Sequence, residues 1–229
     1  MNRMRSRVGT IKDNVNVKIK SNIRSVRNVK FKKPYRDNRL ILLSILTSAP
    51  ITAVILAFFF CFYSPYGTGS LEPLGAFLLS AALFSLLTGL AIFYFSKKGR
   101  VDIELSERKS RTKFYIIAIA SELIAAIVFY VFEANLLFIT AIAYAVVALL
   151  MMVINFKWKI SAHASGVTGP LTAMYVVYGN IILPFYVLLI PVYILRHKVK
   201  AHTVWQLIGG TVLAFLVSYF IFTAMLGRE

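Results

Sequence analysis

Residues 114–132 read FYIIAIASELIAAIVFYVF, residues 133–135 read EAN, and residues 136–156 read LLFITAIAYAVVALLMMVINF. Each long block is close to the roughly 20 predominantly apolar residues that an α-helix needs to cross the hydrocarbon of a bilayer. The three residues between them are enough for a short connection only. The stretch therefore predicts two successive membrane-spanning helices, and it sets the fold class for the rest of the chain.

Further apolar blocks lie on both sides of this pair, separated by charged or turn-rich stretches. They cover residues 40–62, 74–95, 164–179, 181–195 and 204–226. The blocks 164–179 and 181–195 are short, and Pro170, Pro184 and Pro191 permit kinks or a broken pair of helices there. The sequence predicts an all-α fold, a polytopic transmembrane helix bundle of six to seven spans within a membrane-embedded domain of residues 40–229.

The composition agrees with a membrane protein and excludes several other classes. Hydrophobic residues make up 59% of the chain and charged residues 15%, with a net charge of +17. Soluble domains average about 25% charged residues, so this composition is not that of a soluble enzyme. A disordered chain would be less apolar, a disulfide-rich secreted domain needs more than the single Cys61, and a nucleic-acid binder would not separate its basic residues by long apolar runs.

Residues 1–39 form a separate basic segment, with thirteen Lys and Arg residues against Asp13 and Asp37. No apolar run follows a short basic start, so the segment is not a signal peptide. We interpret it as a solvated cytoplasmic tail that is attracted to anionic lipid head groups; a weak interfacial segment is the alternative. Nucleic acid is not expected as a partner.

The basic residues also predict the orientation of the bundle. With seven spans, the tail and the loops 97–113, 157–163 and 196–202 fall on one side of the bilayer and hold 25 of the 26 Lys and Arg residues. Cytoplasmic loops carry an excess of Lys and Arg. We therefore expect a multi-pass protein of the cell membrane, with its N-terminus and these three loops in the cytoplasm.

The reactive side chains lie in the same three loops. All three histidines are there, namely His163, His197 and His202, together with most of the arginines outside the tail. Each loop is followed by an apolar helix, so the N–H groups of helix starts point into the same aqueous face. Arginines, histidines and helix N-termini that converge on one place suit the binding of a phosphate group.

Two short patterns in these loops resemble a known family. Arg196 is followed after five residues by His202 and after three more by Gln206, which is similar to the third signature of the type 2 phosphatidic acid phosphatase superfamily (Arg, five residues, His, three residues, Asp). Ser161 and His163 match the Ser and His of its second signature, Pro-Ser-Gly-His.

The first signature of that superfamily has a Lys and a later Arg-Pro, and Arg108 and Arg111 stand where these are expected. The order of the three patterns agrees with the family. Gln206 stands where the family has Asp, Ala162 stands where it has Gly, and no Lys precedes Arg108 at the family's spacing. The resemblance covers about residues 98–215.

The resemblance implies phosphoester or diphosphate hydrolysis through a phosphohistidine, without a metal or other cofactor. His202 would attack phosphorus, His163 would protonate the leaving oxygen, and Gln206 at i+4 would accept the imidazole N–H. The phosphate oxygens would be bound by Arg108, Arg111, Ser161 and Arg196. A small acidic cluster in the first loop (Asp102, Glu104 and Glu107) is interpreted as balancing nearby Lys and Arg, the alternative being a magnesium site for a diphosphate.

The sequence thus predicts an enzyme, an integral membrane phosphatase whose substrate is a lipid phosphate or diphosphate of the polyprenyl or phosphatidic acid type. One alternative is a phosphotransferase on the same scaffold, with an alcohol as the acceptor in place of water. The other is a non-catalytic membrane protein that binds lipid phosphates, which the Gln at position 206 motivates.

Overall fold

The computed structural model describes residues 38–99, 101, 105 and 107–227, and every regular element within these residues is a helix. One π-helical turn covers Ala82–Leu86, and 3₁₀ segments cover Lys109–Arg111 and Gly179–Leu188. Residues 1–37 of the predicted basic tail lie outside the described residues. Asp102 and Glu104 of the acidic cluster do so as well. The helices are α1 (Asn38–Leu46), α2 (Ala49–Tyr63), α3 (Pro73–Lys97), α4 (Thr112–Val131), α5 (Asn135–Asn155), α6 (Ala162–Tyr178), α7 (Leu189–Lys198) and α8 (Val204–Leu226).

Five helical stretches of the described chain are long and apolar enough to cross a membrane, and α2 is a shorter apolar helix. They carry large apolar side chains on their outer surfaces, where Ile127 is 66% exposed and Phe220 is 72% exposed. Such surfaces fit a hydrocarbon environment and not water. The five stretches are Pro73–Lys97, Lys109–Val131, Asn135–Asn155, Ala162–Lys198 and Val204–Leu226. The described part of the chain is therefore all-helical, with the features of a multi-pass membrane protein.

The first apolar block is not one continuous helix as its composition predicts. Helix α1 ends at Leu46, and α2 begins at Ala49 after Thr47 and an extended Ser48. Pro50 stands in the first turn of α2, where its missing N–H costs nothing, but its ring disfavours continuation of a helix through the preceding residues. The prediction for residues 40–62 is corrected to two helices with a two-residue break.

The stretch Ala162–Lys198 reverses direction at Gly179, which has φ +75°. Beyond this turn the 3₁₀ segment lies against α6, and the hydroxyls of Thr172 and Tyr186 are 2.8 Å apart. A left-handed φ is readily adopted by glycine, which lacks a Cβ. The predicted helix over residues 181–195 is thus a 3₁₀ segment followed by α7, and α7 ends near the start of α6.

The loops rich in basic residues meet at one end of the bundle, which we call the basic end. There Arg111 donates to the Ile160 carbonyl at 3.0 Å, and the Lys159 ammonium donates to the Ala201 carbonyl at 2.9 Å. At the other end, the backbone N–H and the hydroxyl of Ser70 both donate to the Phe132 carbonyl. The apolar core between the two ends includes Phe60, Phe129 and Phe222, all almost completely buried.

Candidate functional site

His202 lies in a five-residue connection whose two ends are fixed by helix caps. At the end of α7, the Ala201 N–H donates to the Arg196 carbonyl at 3.0 Å and the Lys200 N–H to the His197 carbonyl at 2.9 Å. This pattern, with Lys200 at φ 54°, is a Schellman motif. The start of α8 is a capping box of Thr203 and Gln206. The backbone on both sides of His202 is therefore tightly defined.

The His202 ring is bound through only one of its nitrogens. Its Nδ1 lies 3.2 Å from the Lys159 carbonyl oxygen and 3.2 Å from Gln206 Oε1, the contact expected from the i, i+4 spacing. Both neighbours are acceptors, so we assign the ring proton to Nδ1. The Nε2 atom is buried and has no hydrogen-bond partner among the described residues. In the neutral ring, Nε2 therefore carries an available lone pair.

The surroundings of His202 keep its ring neutral. The side chain is only 5% exposed. Burial, and after it the positive charges of Arg111, Lys159 and Arg196, lower the pKa of His202 from 6.5 to about 3. Both causes disfavour the charged imidazolium. At neutral pH the His202 ring is therefore an uncharged imidazole and not a cation.

Arg196 and His163 meet at one side chain from the first helix. The Arg196 guanidinium donates to the Ser44 hydroxyl at 2.9 Å, and His163 Nε2 lies 3.4 Å from the same oxygen. Arg196 is 1% exposed and Ser44 is 3% exposed. Three elements, α1, the start of α6 and the end of α7, are joined by this cluster. Ser44 did not follow from the sequence, where it is one hydroxyl in an apolar run.

The two arginines of the first loop have different environments. Arg111 is buried, and its guanidinium donates to the carbonyls of Leu105 and Ile160 at 2.8 and 3.0 Å. It lies close enough to His202 to lower that group's pKa. Arg108 is half-exposed and donates to the carbonyls of Asn155 and Phe156 at the end of α5. The structure thus brings Arg111 to His202 and engages Arg108 with a helix end.

Ser161 acts at the start of α6 in two ways. Its hydroxyl caps the helix by accepting from the Ala164 N–H at 3.3 Å, and its own N–H donates to the Gln206 carbonyl at 3.1 Å. A side-chain cap of this kind stabilises a helix start. The same start lies against α8 at Gly210, where a Cβ atom would be 2.5 Å from the Ser161 oxygen. Gly210 therefore lets the two helix starts that carry His163 and His202 approach closely.

An open cavity of about 640 Å³ at the basic end is lined in part by His202 and Gln206. Lys159, Lys198 and Lys200 also line it, and none of the carboxylates that the structure describes does. Lys159, like Ser44, was not among the site residues predicted from the sequence, although it stands directly before Ile160 and Ser161. Such a cavity favours an anion over a cation.

The cluster combines a neutral imidazole, two buried arginines and a second imidazole, a set of side chains that is compatible with chemistry on a phosphoryl group. Within the described part of the chain, no group of three or more His, Cys, Asp and Glu side chains could hold a metal ion. Arg111, Ser161, His163, Arg196, His202 and Gln206 share this region, and Arg108 binds beside it. Comparison of the chain with protein-family models, curated proteins and solved structures finds no match to any of them.

Proposed function

We propose that this protein is an integral membrane phosphatase that hydrolyses a lipid phosphate or diphosphate, of the polyprenyl or phosphatidic acid type, through a phosphohistidine on His202. The resemblance to the type 2 phosphatidic acid phosphatase superfamily supports this proposal by the order and spacing of the motif residues. The contacts around those residues support it independently.

The state of the His202 ring is the observation that carries the proposal. A histidine that only stabilised the loop would have no need of a buried Nε2 without a protein partner. A nucleophile needs that nitrogen unprotonated and aimed at the substrate, and its other nitrogen held by an orienting acceptor. Gln206 and the Lys159 carbonyl supply that acceptor pair.

The proposed reaction transfers the phosphoryl group in two steps, first to His202 and then to water. His163 first takes up a proton from water as the negative phosphate binds. The Nε2 lone pair of His202 then attacks phosphorus, the bond from phosphorus to the leaving oxygen breaks, and the His163 imidazolium donates its proton to that oxygen. Water then attacks the phosphohistidine, its proton returning to His163, and inorganic phosphate leaves. Arg111 and Arg196 neutralise the phosphoryl oxygens during both transfers. Ser161 and Arg108 are the other two proposed phosphate-binding residues, and their contacts also hold the start of α6 and the first loop in place.

The proposed topology places this chemistry at a membrane surface. We infer seven passes, with α1 and α2 as the first and the two arms on either side of Gly179 as the fifth and sixth. The basic end then faces the cytoplasm, together with the tail of residues 1–39, which binds anionic lipids. A lipid substrate keeps its acyl or isoprenoid chain in the bilayer while its head group enters the cavity lined by Lys159, Lys198 and Lys200.

Replacement of the nucleophile tests the proposal directly. Purified protein in mixed micelles should release inorganic phosphate from a polyprenyl diphosphate or a phosphatidic acid. His202→Ala should lower this rate on the order of 10³-fold or more, because loss of a nucleophile removes the covalent route. Rapid acid-free quenching with a ³²P-labelled substrate should trap an acid-labile phosphoenzyme in the wild type and none in the variant.

His197→Ala is the matched control, because His197 is an exposed histidine five residues away that lines the same cavity but has no part in the proposed transfer steps. It should retain wild-type turnover and the phosphoenzyme. Full activity of His202→Ala would refute the phosphohistidine route. A wild type that binds the lipid phosphate but never releases phosphate would instead support a non-catalytic binding protein.

A further inference from the structure

The hydroxyl of Ser44 is shared by two residues to which the proposed reaction gives different tasks. It accepts a hydrogen bond from the Arg196 guanidinium at 2.9 Å and lies 3.4 Å from His163 Nε2. Arg196 would hold phosphoryl oxygens, whereas His163 would protonate the leaving oxygen. One buried oxygen therefore connects the group that holds the phosphate to the group that delivers the proton.

Ser44 is held in place by its own short helix. Helix α1 is separated from α2 by Thr47 and Ser48, and the Thr47 hydroxyl donates back to the Leu43 carbonyl at 2.8 Å. Several other side chains of α1 are exposed on the outer surface, including Leu42 and Leu46. Ser44 is instead almost completely buried, so this residue connects α1 to the site.

We propose that Ser44 is a positioning residue for the general acid, which keeps the His163 ring aligned with a phosphate bound to Arg196. The inference rests on the function proposed above and assigns a role in it to α1. Ser44 does not touch the reacting atoms. It acts through His163, whose ring it would hold in one orientation by the contact at Nε2.

The role has a consequence that a merely structural serine would not have. An alkoxide leaving group is strongly basic and needs the acid, whereas a nitrophenolate leaves with little protonation. Misalignment of the acid should therefore slow the hydrolysis of an alkyl phosphate much more than that of nitrophenyl phosphate. Damage to phosphate binding or to folding would slow both substrates in the same proportion.

The kinetic experiment compares Ser44→Ala with the control Ser48→Ala, the same change four residues away at a side chain that makes no capping bond. We expect Ser44→Ala to lower kcat for a long-chain alkyl phosphate by roughly tenfold to 10²-fold, the scale of a small misplacement of a catalytic group. The rate with nitrophenyl phosphate should fall by about threefold at most, because nitrophenolate leaves with little protonation. Ser48→Ala should match the wild type on both substrates.

Ser44→Cys provides a second variant of nearly the same size that forms only weak hydrogen bonds, in case the alanine variant does not fold. It should show the same selective loss on the alkyl substrate. Equal losses on both substrates, in either variant, would overturn the proposal while leaving the phosphatase function intact. Absence of wild-type turnover on every substrate would instead refute the function.

Nitrogen NMR tests the contact without any need for turnover. The chain has three histidines, so ¹⁵N-histidine labelling gives few resonances, and a single His163→Gln variant identifies those of His163. We expect Ser44→Ala to shift the His163 ring nitrogens and to leave those of the exposed His197 in place. Ser48→Ala should shift neither. Unchanged His163 resonances in Ser44→Ala would overturn the proposed contact.

Discussion

Two residues of the site, His202 and Ser44, differ in how readily a sequence reveals them. His202 stands in a spacing with Arg196 and Gln206 that indicates its role, and its local contacts follow from the i, i+4 geometry of the next helix. Ser44 is separated from Arg196 by 152 residues and stands among apolar residues. A hydroxyl in an apolar run most often bonds its own helix, so only the tertiary structure assigns it to the site.

The lowered pKa of His202 predicts a dependence of stability on pH. The folded protein binds this proton only near pH 3, whereas the unfolded chain binds it near 6.5, so between these values the unfolded state holds more protons. The contribution of His202 to the free energy of unfolding is fully present above its pKa in the unfolded chain. It decreases as the pH falls toward the pKa of His202 in the folded protein. At pH 5 the loss is about 2 kcal/mol.

Thermal unfolding in detergent without phosphate measures this effect. The Tm of the wild type should decrease between about pH 7.5 and about pH 5 by more than that of His202→Gln, whose side chain does not titrate. Parallel decreases in the two proteins would show that His202 is not the group responsible.

The two helices within residues 114–156 were predictable from the sequence. The breaks within the first and the sixth apolar blocks were not. The blocks 114–132 and 136–156 correspond to α4 and α5 with ends displaced by at most two residues, because apolar length determines a spanning helix. The break at Thr47 and Ser48 and the reversal at Gly179 depend on single residues within apolar runs. Hydropathy does not register such residues, since a break changes the backbone and not the mean polarity.

The contact between α6 and α8 predicts a cost for one small substitution. Gly210→Val would bring a Cβ to 2.5 Å from the Ser161 backbone oxygen, and backbone cannot yield as a flexible side chain does. We expect a destabilisation of about 1–3 kcal/mol, typical of overpacking, and a loss of the proposed phosphatase activity because the two helix starts separate.

Gly89→Ala is the control for this substitution, because Gly89 is also a helical glycine but its Cβ would meet nothing within 4 Å. Alanine is the better helix former, so this variant should be as stable as the wild type or slightly more so. The Tm values of both variants in detergent decide the point. A Gly210→Val protein with wild-type Tm and activity would contradict a tight contact at Ser161.

At the scale of the whole molecule, the described Lys and Arg side chains of the three loops lie at the same end as the candidate site residues. The basic end holds the cavity, His202, the buried arginines and the lysines. At the other end, Ser70 in the loop between α2 and α3 is hydrogen-bonded to the α4–α5 turn. Basic residues near a cytoplasmic surface orient a membrane protein and attract anionic lipids. In the proposed orientation, the same charges would therefore both orient the protein and concentrate an anionic substrate at the site.

Single cysteines test the proposed orientation. In a Cys61→Ala background, Lys98→Cys at the basic end should react with a membrane-impermeant maleimide only from the cytoplasmic side. Tyr66→Cys, at an exposed position in the loop after α2, should react only from the opposite side. The readout is labelling in intact cells compared with inverted vesicles. Reaction of both positions from the same side would rule out the seven-pass arrangement.

The hydrogen bond between Ser44 and Arg196 also has a consequence for biosynthesis. A ribosome adds about 5–20 residues per second, so Arg196 follows Ser44 by roughly 8–30 seconds. During that interval α2 to α5 can insert and pack, but Ser44 in α1 cannot yet bind Arg196 of α7. The site is thus completed only when the last third of the chain emerges, and a nascent chain arrested before residue 196 should already contain the hairpin of α4 and α5 but not the cluster around Ser44.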